Sequence, residues 1–327
     1  MDYRPLGDTG IKVSAVSFGT WAIGGSWGNV EEQSALSALA KAIDEGVNFF
    51  DTADVYGNGR AEGLLAKATK GKEDQIHIAT KFCRSADIHD PKTYSEPAVR
   101  EFCEASLKRL ERETIDLYQI HCPPSFVIED GSVFSVLDKL KQEGKIRHYG
   151  VSVETIDQGL TALTYPGVKA LQVIFNLFRQ KPSDELFVKA KAQGVGILAR
   201  LPLASGLLTG KFTKQDTFPK DDHRNFNRDG QAFNVGETFA GLPFEKGVEL
   251  AQALLFIAQG RGNMTRASMR WILDQPGVTC VIPGFKSEAQ VMDNLGTLDV
   301  PSFTAEELKQ LRTFYDEKVH PFIRGAY

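Results

Sequence analysis

Three consecutive apolar runs of this sequence each end in a polar side chain of a different chemical type. The runs close on Asp51, Lys81 and His121, and Tyr56 follows the first of them within one short loop. A phenol ionises at about pH 10 and is a poor proton donor at neutral pH unless a nearby cation stabilises the phenolate. Lys81 would supply that cation, Asp51 would keep the ammonium paired, and His121 would orient a carbonyl. The combination predicts proton transfer to an oxygen that gains negative charge.

Any one of these four side chains alone is more often structural than catalytic. A strand-end carboxylate commonly caps a turn, and a buried histidine commonly completes the packing. All four at the ends of neighbouring strands would be a rare coincidence, because the active sites of parallel barrels form where the strands end. The interpretation therefore depends on the elements that carry them.

Eight short runs rich in Val, Ile and Phe alternate with amphipathic stretches along the chain. The runs are almost continuously apolar, as in parallel strands that are buried on both faces. The predicted strands are Val13–Phe18, Val47–Asp51, Ile76–Lys81, Ile115–His121, Ile146–Ser152, Ala170–Phe175, Val195–Leu201 and Thr279–Ile282. Eight strand–helix units in 327 residues predict an α/β fold, a closed (β/α)8 TIM barrel in one domain over residues 1–327.

The segment between the seventh and eighth strands is much longer than the others. It contains a predicted loop over about Leu203–Pro243 and then two helices, Phe244–Gln259 and Thr265–Asp274. Loops of that length are usually functional. A TxxE capping box at Thr304 predicts one more helix beyond the eight units, and Ser95 is the predicted cap of a helix over Glu96–Leu110.

The composition argues against several classes of protein. The chain has 38 Lys and Arg against 42 Asp and Glu, a net charge of −4, which is unfavourable for binding nucleic acid or an anionic membrane. No run approaches the roughly 18 apolar residues of a membrane span, and we find no signal peptide. The 4 cysteines form no CxxC pair, which favours a cytoplasmic location. No Cys/His spacing indicates a metal site.

Several motifs resemble the aldo-keto reductase superfamily, which includes bacterial reductases and the β subunits of potassium channels. They are FDTADVYG at 50–57, ATK at 79–81, IDLYQIHCP at 115–123, GVS at 150–152, FGTWAIGG at 18–25, LASGLLTGK at 203–211, VIPG at 281–284 and DN at 293–294. The resemblance implies hydride transfer from an extended nicotinamide cofactor to a small-molecule carbonyl substrate, without a Rossmann fold. Tyr56 would be the general acid, with Lys81 and Asp51 as its tuning pair. His121 would orient the carbonyl.

The resemblance also implies which residues bind the cofactor. They are Gly19, Thr20, Trp21, Ser152, Gln172, Arg200, Leu203, Ser205, Gly206, Lys211, Gly284, Lys286, Gln290, Asp293 and Asn294. Ser152 and Gln172 would hold the carboxamide. The loop from Leu203 would cover the pyrophosphate. Lys286 near a 2′-phosphate would favour NADPH (NADP+ when oxidised) over NADH as the cofactor. An ordinary surface lysine is nearly as good an interpretation of Lys286.

Two positions depart from the family pattern. Val153 stands where an asparagine is common, and Arg200 stands where many members stack an aromatic ring on the nicotinamide. A guanidinium is planar and can also stack. Its positive charge would disfavour the oxidised, cationic nicotinamide.

Two rival functions and two structural questions stay open at this point. The chain could be a cofactor-bound redox sensor or regulatory protein with slow turnover, or a barrel lyase or hydrolase that uses Lys81 or His121 directly. Trp21 and Trp27 either belong to the core or form a substrate wall. The oligomeric state and the physiological substrate do not follow from the sequence.

Overall fold

A computed structural model describes residues 1–25 and 30–327. Its strands are β1 Tyr3–Pro5, β2 Lys12–Ser14, β3 Phe18–Gly19, β4 Phe49–Asp51, β5 His77–Phe82, β6 Ile115–His121, β7 Ile146–Ser152, β8 Val168–Ile174, β9 Gly196–Arg200 and β10 Val278–Val281. Its α-helices are α1 Trp21–Gly24, α2 Glu32–Asp44, α3 Arg60–Thr69, α4 Glu96–Leu110, α5 Ser125–Asp130, α6 Ser132–Gln142, α7 Ile156–Ala162, α8 Leu186–Ala192, α9 His223–Phe226, α10 Phe244–Ala253, α11 Met264–Leu273, α12 Glu288–Leu295 and α13 Ala305–Phe314.

Strands β3 to β10 form one parallel sheet in which each strand pairs with the next along the chain. Backbone bonds close the sheet into a barrel, since the Ser17 amide donates to the Val281 carbonyl at 2.9 Å and the Gly19 amide donates to the Pro283 carbonyl at 2.9 Å. A Cβ on Gly19 would lie 2.8 Å from the Ile282 carbonyl oxygen, so glycine permits this close approach. The predicted (β/α)8 barrel is confirmed.

Alternate residues of the barrel strands point inward, because side chains alternate between the two faces of a strand. The interior contains an apolar layer that includes Phe49, Ala79, Leu117, Ala170 and Leu198. The next inward side chains, two residues closer to the carboxyl end of each strand, are polar. The barrel interior is therefore apolar in this layer and polar at its carboxyl end.

Several predicted elements differ from those observed. The predicted strand Val13–Phe18 is divided between β2 and β3, which belong to different sheets. The hairpin of β1 and β2 was not predicted, since its strands have only three residues each. The segment over residues 203–243 contains short helical turns, Ala204–Thr209, Val235–Glu237 and Phe239–Gly241 besides α9, rather than a structureless loop. The Ser95 hydroxyl donates to the Lys92 carbonyl instead of capping α4, whereas the capping box at Thr304 is present.

Candidate active site

The predicted catalytic side chains meet at the carboxyl end of the barrel. The Lys81 ammonium donates to Asp51 Oδ2 at 2.6 Å, to the Thr52 carbonyl at 2.8 Å and to the Tyr56 hydroxyl at 3.4 Å. Lys81 and Asp51 are inward residues at the ends of adjacent strands, and Tyr56 is brought over them by the turn that follows β4. The three donor contacts satisfy a buried ammonium, as a charge away from water requires.

The Asp51 carboxylate is the centre of a wider hydrogen-bond network. Its Oδ1 atom accepts from the Gln172 amide at 2.7 Å and from the Gln119 amide at 3.3 Å. Gln119, one alternation before His121 on β6, was not among the predicted site residues. Asp51 therefore positions three side chains from β5, β6 and β8. In this structure the amide nitrogen of Gln172, assigned to the cofactor by resemblance, is directed to that carboxylate.

Burial and charge set the protonation of the site. Burial raises the pKa of Tyr56 above its ordinary value and outweighs the opposing effect of the Lys81 charge, so the phenol keeps its proton. Burial, together with the charges of Arg84 and Lys81, holds the pKa of His121 well below its ordinary value. The His121 ring lies edge-on to the Tyr56 ring with 5.8 Å between centroids. A protonated phenol beside a neutral imidazole is a suitable pair of donors for a carbonyl oxygen.

A cavity of about 850 Å³ opens above these side chains. Asp51, Tyr56 and His121 line one part of it, while Lys81 lies behind them. The predicted cofactor residues that line it are Gly19, Trp21, Gln172, Arg200, Leu203, Ser205, Gly206, Gly284, Lys286 and Gln290. The sequence motifs at the ends of β3, β8, β9 and β10 are thus brought to one space.

Five other residues predicted to bind cofactor do not line this cavity. Thr20 bonds to the Asp51 carbonyl, Ser152 lies 3.3 Å from the Cys122 sulfur, and Lys211 is exposed. Asp293 forms an ion pair with Arg266 at 3.0 Å, and Asn294 is buried. Their predicted role stays a prediction.

Trp21 crosses the cavity towards the long segment after β9. Its ring lies 4.6 Å from the His223 ring, 6.1 Å from the Tyr56 ring and 6.3 Å from the Phe233 ring, measured between centroids. Trp21 therefore forms part of the cavity wall rather than of the barrel core. Trp27, the other tryptophan considered for this wall, falls outside the described residues.

Four charged side chains, which were not predicted to lie together, form a cluster beside His121. This arginine–glutamate cluster consists of Arg84, Glu154, Arg200 and Glu237, and all four line the cavity. Arg84 and Glu154 each follow a barrel strand by two residues, and Glu237 comes from the long segment. Of the four, only Arg200 was singled out from the sequence. The positions of Arg84 and Glu154 just past the ends of β5 and β7 are the signal that could have identified them.

Glu237 is the counter-ion of both arginines. It accepts from Arg84 at 2.6 Å and lies 3.3 Å from Arg200. Burial alone would raise the pKa of Glu237, but the two guanidinium groups lower it to about 2, so the carboxylate stays ionised. The Arg200 guanidinium also lies 3.3 Å from the Cys122 sulfur and 3.4 Å from the Val153 carbonyl. Arg200 is therefore held on several sides, and its charge is partly neutralised.

Comparisons with known proteins identify the family of this chain. The model of the aldo/keto reductase family matches residues 15–316. The chain is 33% identical to aldo-keto reductase YhdN of Bacillus subtilis, over 98% of this chain and 95% of that protein. It is 31% identical to a probable voltage-gated potassium channel subunit beta of Arabidopsis thaliana, over 92% of each. The glycerol dehydrogenase AKR11B4 from Gluconobacter oxydans superposes with a TM-score of 0.78 at 31% identity, over 100% of this chain and 98% of that one. The chain belongs to the aldo/keto reductase family.

Proposed function

We propose that this protein reduces aldehydes and ketones to alcohols with NADPH, and that Tyr56 donates the proton. The observation that carries the proposal is the contact of the Tyr56 hydroxyl with the Lys81 ammonium at 3.4 Å, on the wall of a cavity that His121 also lines. Family membership supports a nicotinamide-dependent oxidoreduction.

The cavity suits a nicotinamide dinucleotide. One part is lined by Tyr56, His121 and Gln172, and another by Lys286 and Gln290. A lysine beside amide donors suits a phosphate group, which supports NADPH over NADH. When it is bound, the cofactor supplies the hydride.

The residues of this chain would supply the remaining steps. His121, uncharged at neutral pH, orients the carbonyl oxygen towards the phenol. Tyr56 donates its proton to that oxygen as negative charge develops, and the Lys81 ammonium stabilises the phenolate that remains. Asp51 keeps Lys81 charged and in place through the 2.6 Å ion pair.

The first test is the loss of near-ultraviolet absorbance when NADPH, and separately NADH, is mixed with the protein and a panel of aldehydes, ketones and dicarbonyls. We expect consumption of NADPH with part of the panel and weaker or no consumption of NADH. If neither cofactor is consumed, cofactor fluorescence should follow binding. Failure to bind either cofactor would contradict the proposal.

A second candidate is a cofactor-bound redox sensor with slow turnover. The observation in its favour is the 31% identity to a probable potassium channel β subunit. A rapid single turnover of bound NADPH, followed by much slower steady-state turnover limited by cofactor release, would favour this candidate. Equal rates in both phases would favour the reductase.

The expected location is the cytoplasm, as a proposal that the cysteines support. Cys83, Cys103, Cys122 and Cys280 are all free and buried, as is usual for proteins of reducing compartments. No helix within residues 1–25 and 30–327 is long and apolar enough to cross a membrane. Fractionation of cells that express the protein would test the location.

A further inference from the structure

We infer that Glu154, held in place by the arginine–glutamate cluster, binds a hydroxyl group next to the substrate carbonyl. The substrates would then be neutral hydroxylated carbonyl compounds, such as hydroxyketones and hydroxyaldehydes. The inference rests on the proposed reduction and adds the chemical class of its substrate.

The two carboxylates of the cluster differ in the hydrogen bonds and ion pairs that their oxygens make. Glu237 accepts from Arg84 at 2.6 Å and 3.2 Å, one bond to each oxygen, and also faces Arg200. Glu154 accepts one bond from Arg84 at 3.2 Å and one from the Asn234 amide at 3.2 Å. A carboxylate has about four acceptor positions, so these two bonds leave Glu154 with spare capacity.

Exposure also distinguishes the two carboxylates. The Glu154 side chain is 21% exposed and the Glu237 side chain 5% exposed, and both line the cavity. Glu237 is therefore the buried counter-ion that holds the arginines. Glu154 is the carboxylate of the cluster that is more exposed to the cavity.

The topology places Glu154 beside the reacting carbonyl. His121 ends β6, which lies between β5 and β7 in the sheet. Arg84 follows β5 by two residues and Glu154 follows β7 by two residues, so the pair flanks the histidine. When a substrate carbonyl lies against His121 and Tyr56, its neighbouring carbon faces this flank.

The charge of the cluster selects for a neutral donor. The two guanidinium groups of the cluster are already paired with its two carboxylates. A substrate carboxylate next to Glu154 would therefore be repelled by it, and the cluster offers no unpaired cation to bind that substrate. A hydroxyl group carries no charge and donates a hydrogen bond to a carboxylate, a stronger bond than one between neutral groups. A methyl group in its place would leave the polar oxygens without that donor.

The test compares hydroxyacetone with butan-2-one, which differ by one hydroxyl in place of a methyl. With NADPH we expect the wild-type kcat/KM to be roughly 10- to 100-fold higher for hydroxyacetone, which corresponds to one hydrogen bond to a charged group. Glu154→Met removes the acceptor and should bring the ratio close to one. Glu154→Gln keeps a weaker neutral acceptor and should give an intermediate ratio. Glu129→Gln, an exposed site on α5 outside the cavity, should keep the wild-type ratio.

Three results would overturn the inference. They are a wild-type ratio near one, a ratio that Glu154→Met retains, and a higher kcat/KM for pyruvate than for hydroxyacetone, which would mean that Arg84 binds an anion. If neither ketone is reduced, calorimetric binding of the two ketones to the protein with NADP+ becomes the test, and the carbonyl panel decides separately whether the proposed reduction fails. Tighter binding of hydroxyacetone than of butan-2-one that Glu154→Met abolishes supports the subsite, and equal binding of the two ketones contradicts it.

Discussion

The Lys81 ammonium lies 2.6 Å from the Asp51 carboxylate, and the two side chains are 0% and 3% exposed. Removal of one partner from such a pair leaves an uncompensated buried charge, which destabilises a protein by about 3–5 kcal/mol. We expect Asp51→Asn to lower the free energy of unfolding, measured with denaturant, by that amount. Lys81→Met should lose less, since Asp51 keeps the amide donors of Gln172 and Gln119. Equal losses would mean that these amides do not compensate the carboxylate.

Substitution of Tyr56 by phenylalanine removes the proposed proton donor but keeps the ring that packs against Trp21. We expect kcat for carbonyl reduction to fall by roughly 10²- to 10⁴-fold, the usual contribution of a positioned acid, with little change in NADPH affinity. Steady-state kinetics and cofactor fluorescence measure the two quantities. Tyr165→Phe, at a hydroxyl that bonds to the Glu129 carbonyl outside the cavity, is the matched control. Weak NADPH binding by Tyr56→Phe would indicate misfolding instead.

Asp54 makes the stability of the fold depend on pH. Burial raises the pKa of this carboxyl from 3.8 to about 6, against a hydrogen bond from the Ser85 hydroxyl at 2.7 Å. Because the folded-state pKa is the higher one, the protonated form stabilises the fold at low pH, and that contribution is lost as the pH rises through 6.

We therefore expect Asp54→Asn to be more stable than the wild type at pH 8, with a free energy of unfolding higher by up to about 3 kcal/mol. Denaturant unfolding measures this difference. The difference should shrink below about 1 kcal/mol at pH 4, where Asp54 is protonated in the folded state and roughly two-fifths protonated in the unfolded state. Asp74→Asn, at an exposed position, should show neither effect. A difference that does not vary with pH would rule out titration of Asp54 as its cause.

Arg200 places a positive charge in the cavity, and Glu237 opposes that charge from 3.3 Å. If Arg200 lies near the nicotinamide, Arg200→Tyr should raise the affinity for NADP+ relative to NADPH several-fold, since the oxidised ring is cationic. Glu237→Gln should shift the ratio in the opposite direction by leaving both arginines with less counter-charge. Dissociation constants for the two cofactor forms, measured by fluorescence and calorimetry, check both expectations. An unchanged ratio in Arg200→Tyr would exclude an electrostatic role for this side chain.

The sequence predicted best where strands were long and continuously apolar. The bounds of β6 and β7 agree with the prediction at both ends, and the inward residues at the ends of β4, β5 and β6 were identified because polarity appears there against an apolar background. The four predicted side chains lie together at the carboxyl end of the barrel. Strand β1 was too short to produce a pattern, and β2 was merged with β3 in the predicted strand Val13–Phe18.

Contacts between distant loops were not predictable from local pattern. Arg84 and Glu237 are separated by 153 residues, and nothing in the sequence near either one indicates the other. Gln119 was missed because it lies in the middle of an apolar strand, where a single amide is easily taken for an irregularity. Its role depends on Asp51 from another strand. Such pairings arise from the closure of the barrel.

The hairpin of β1 and β2 has a consequence for how this chain reaches its native state. Leu6, Ile11 and Val13 belong to the same buried cluster as Phe49 and Cys280 in the barrel interior, so the hairpin fills the end of the barrel opposite the cavity. The Arg4 guanidinium also donates to the carbonyls of Leu273, which ends α11, and Val278, which begins the last strand. During synthesis the hairpin leaves the ribosome long before those partners exist. Its apolar side chains therefore stay incompletely buried until the last strand has been synthesised. A chaperone that shields this early segment is expected to increase the yield of folded protein.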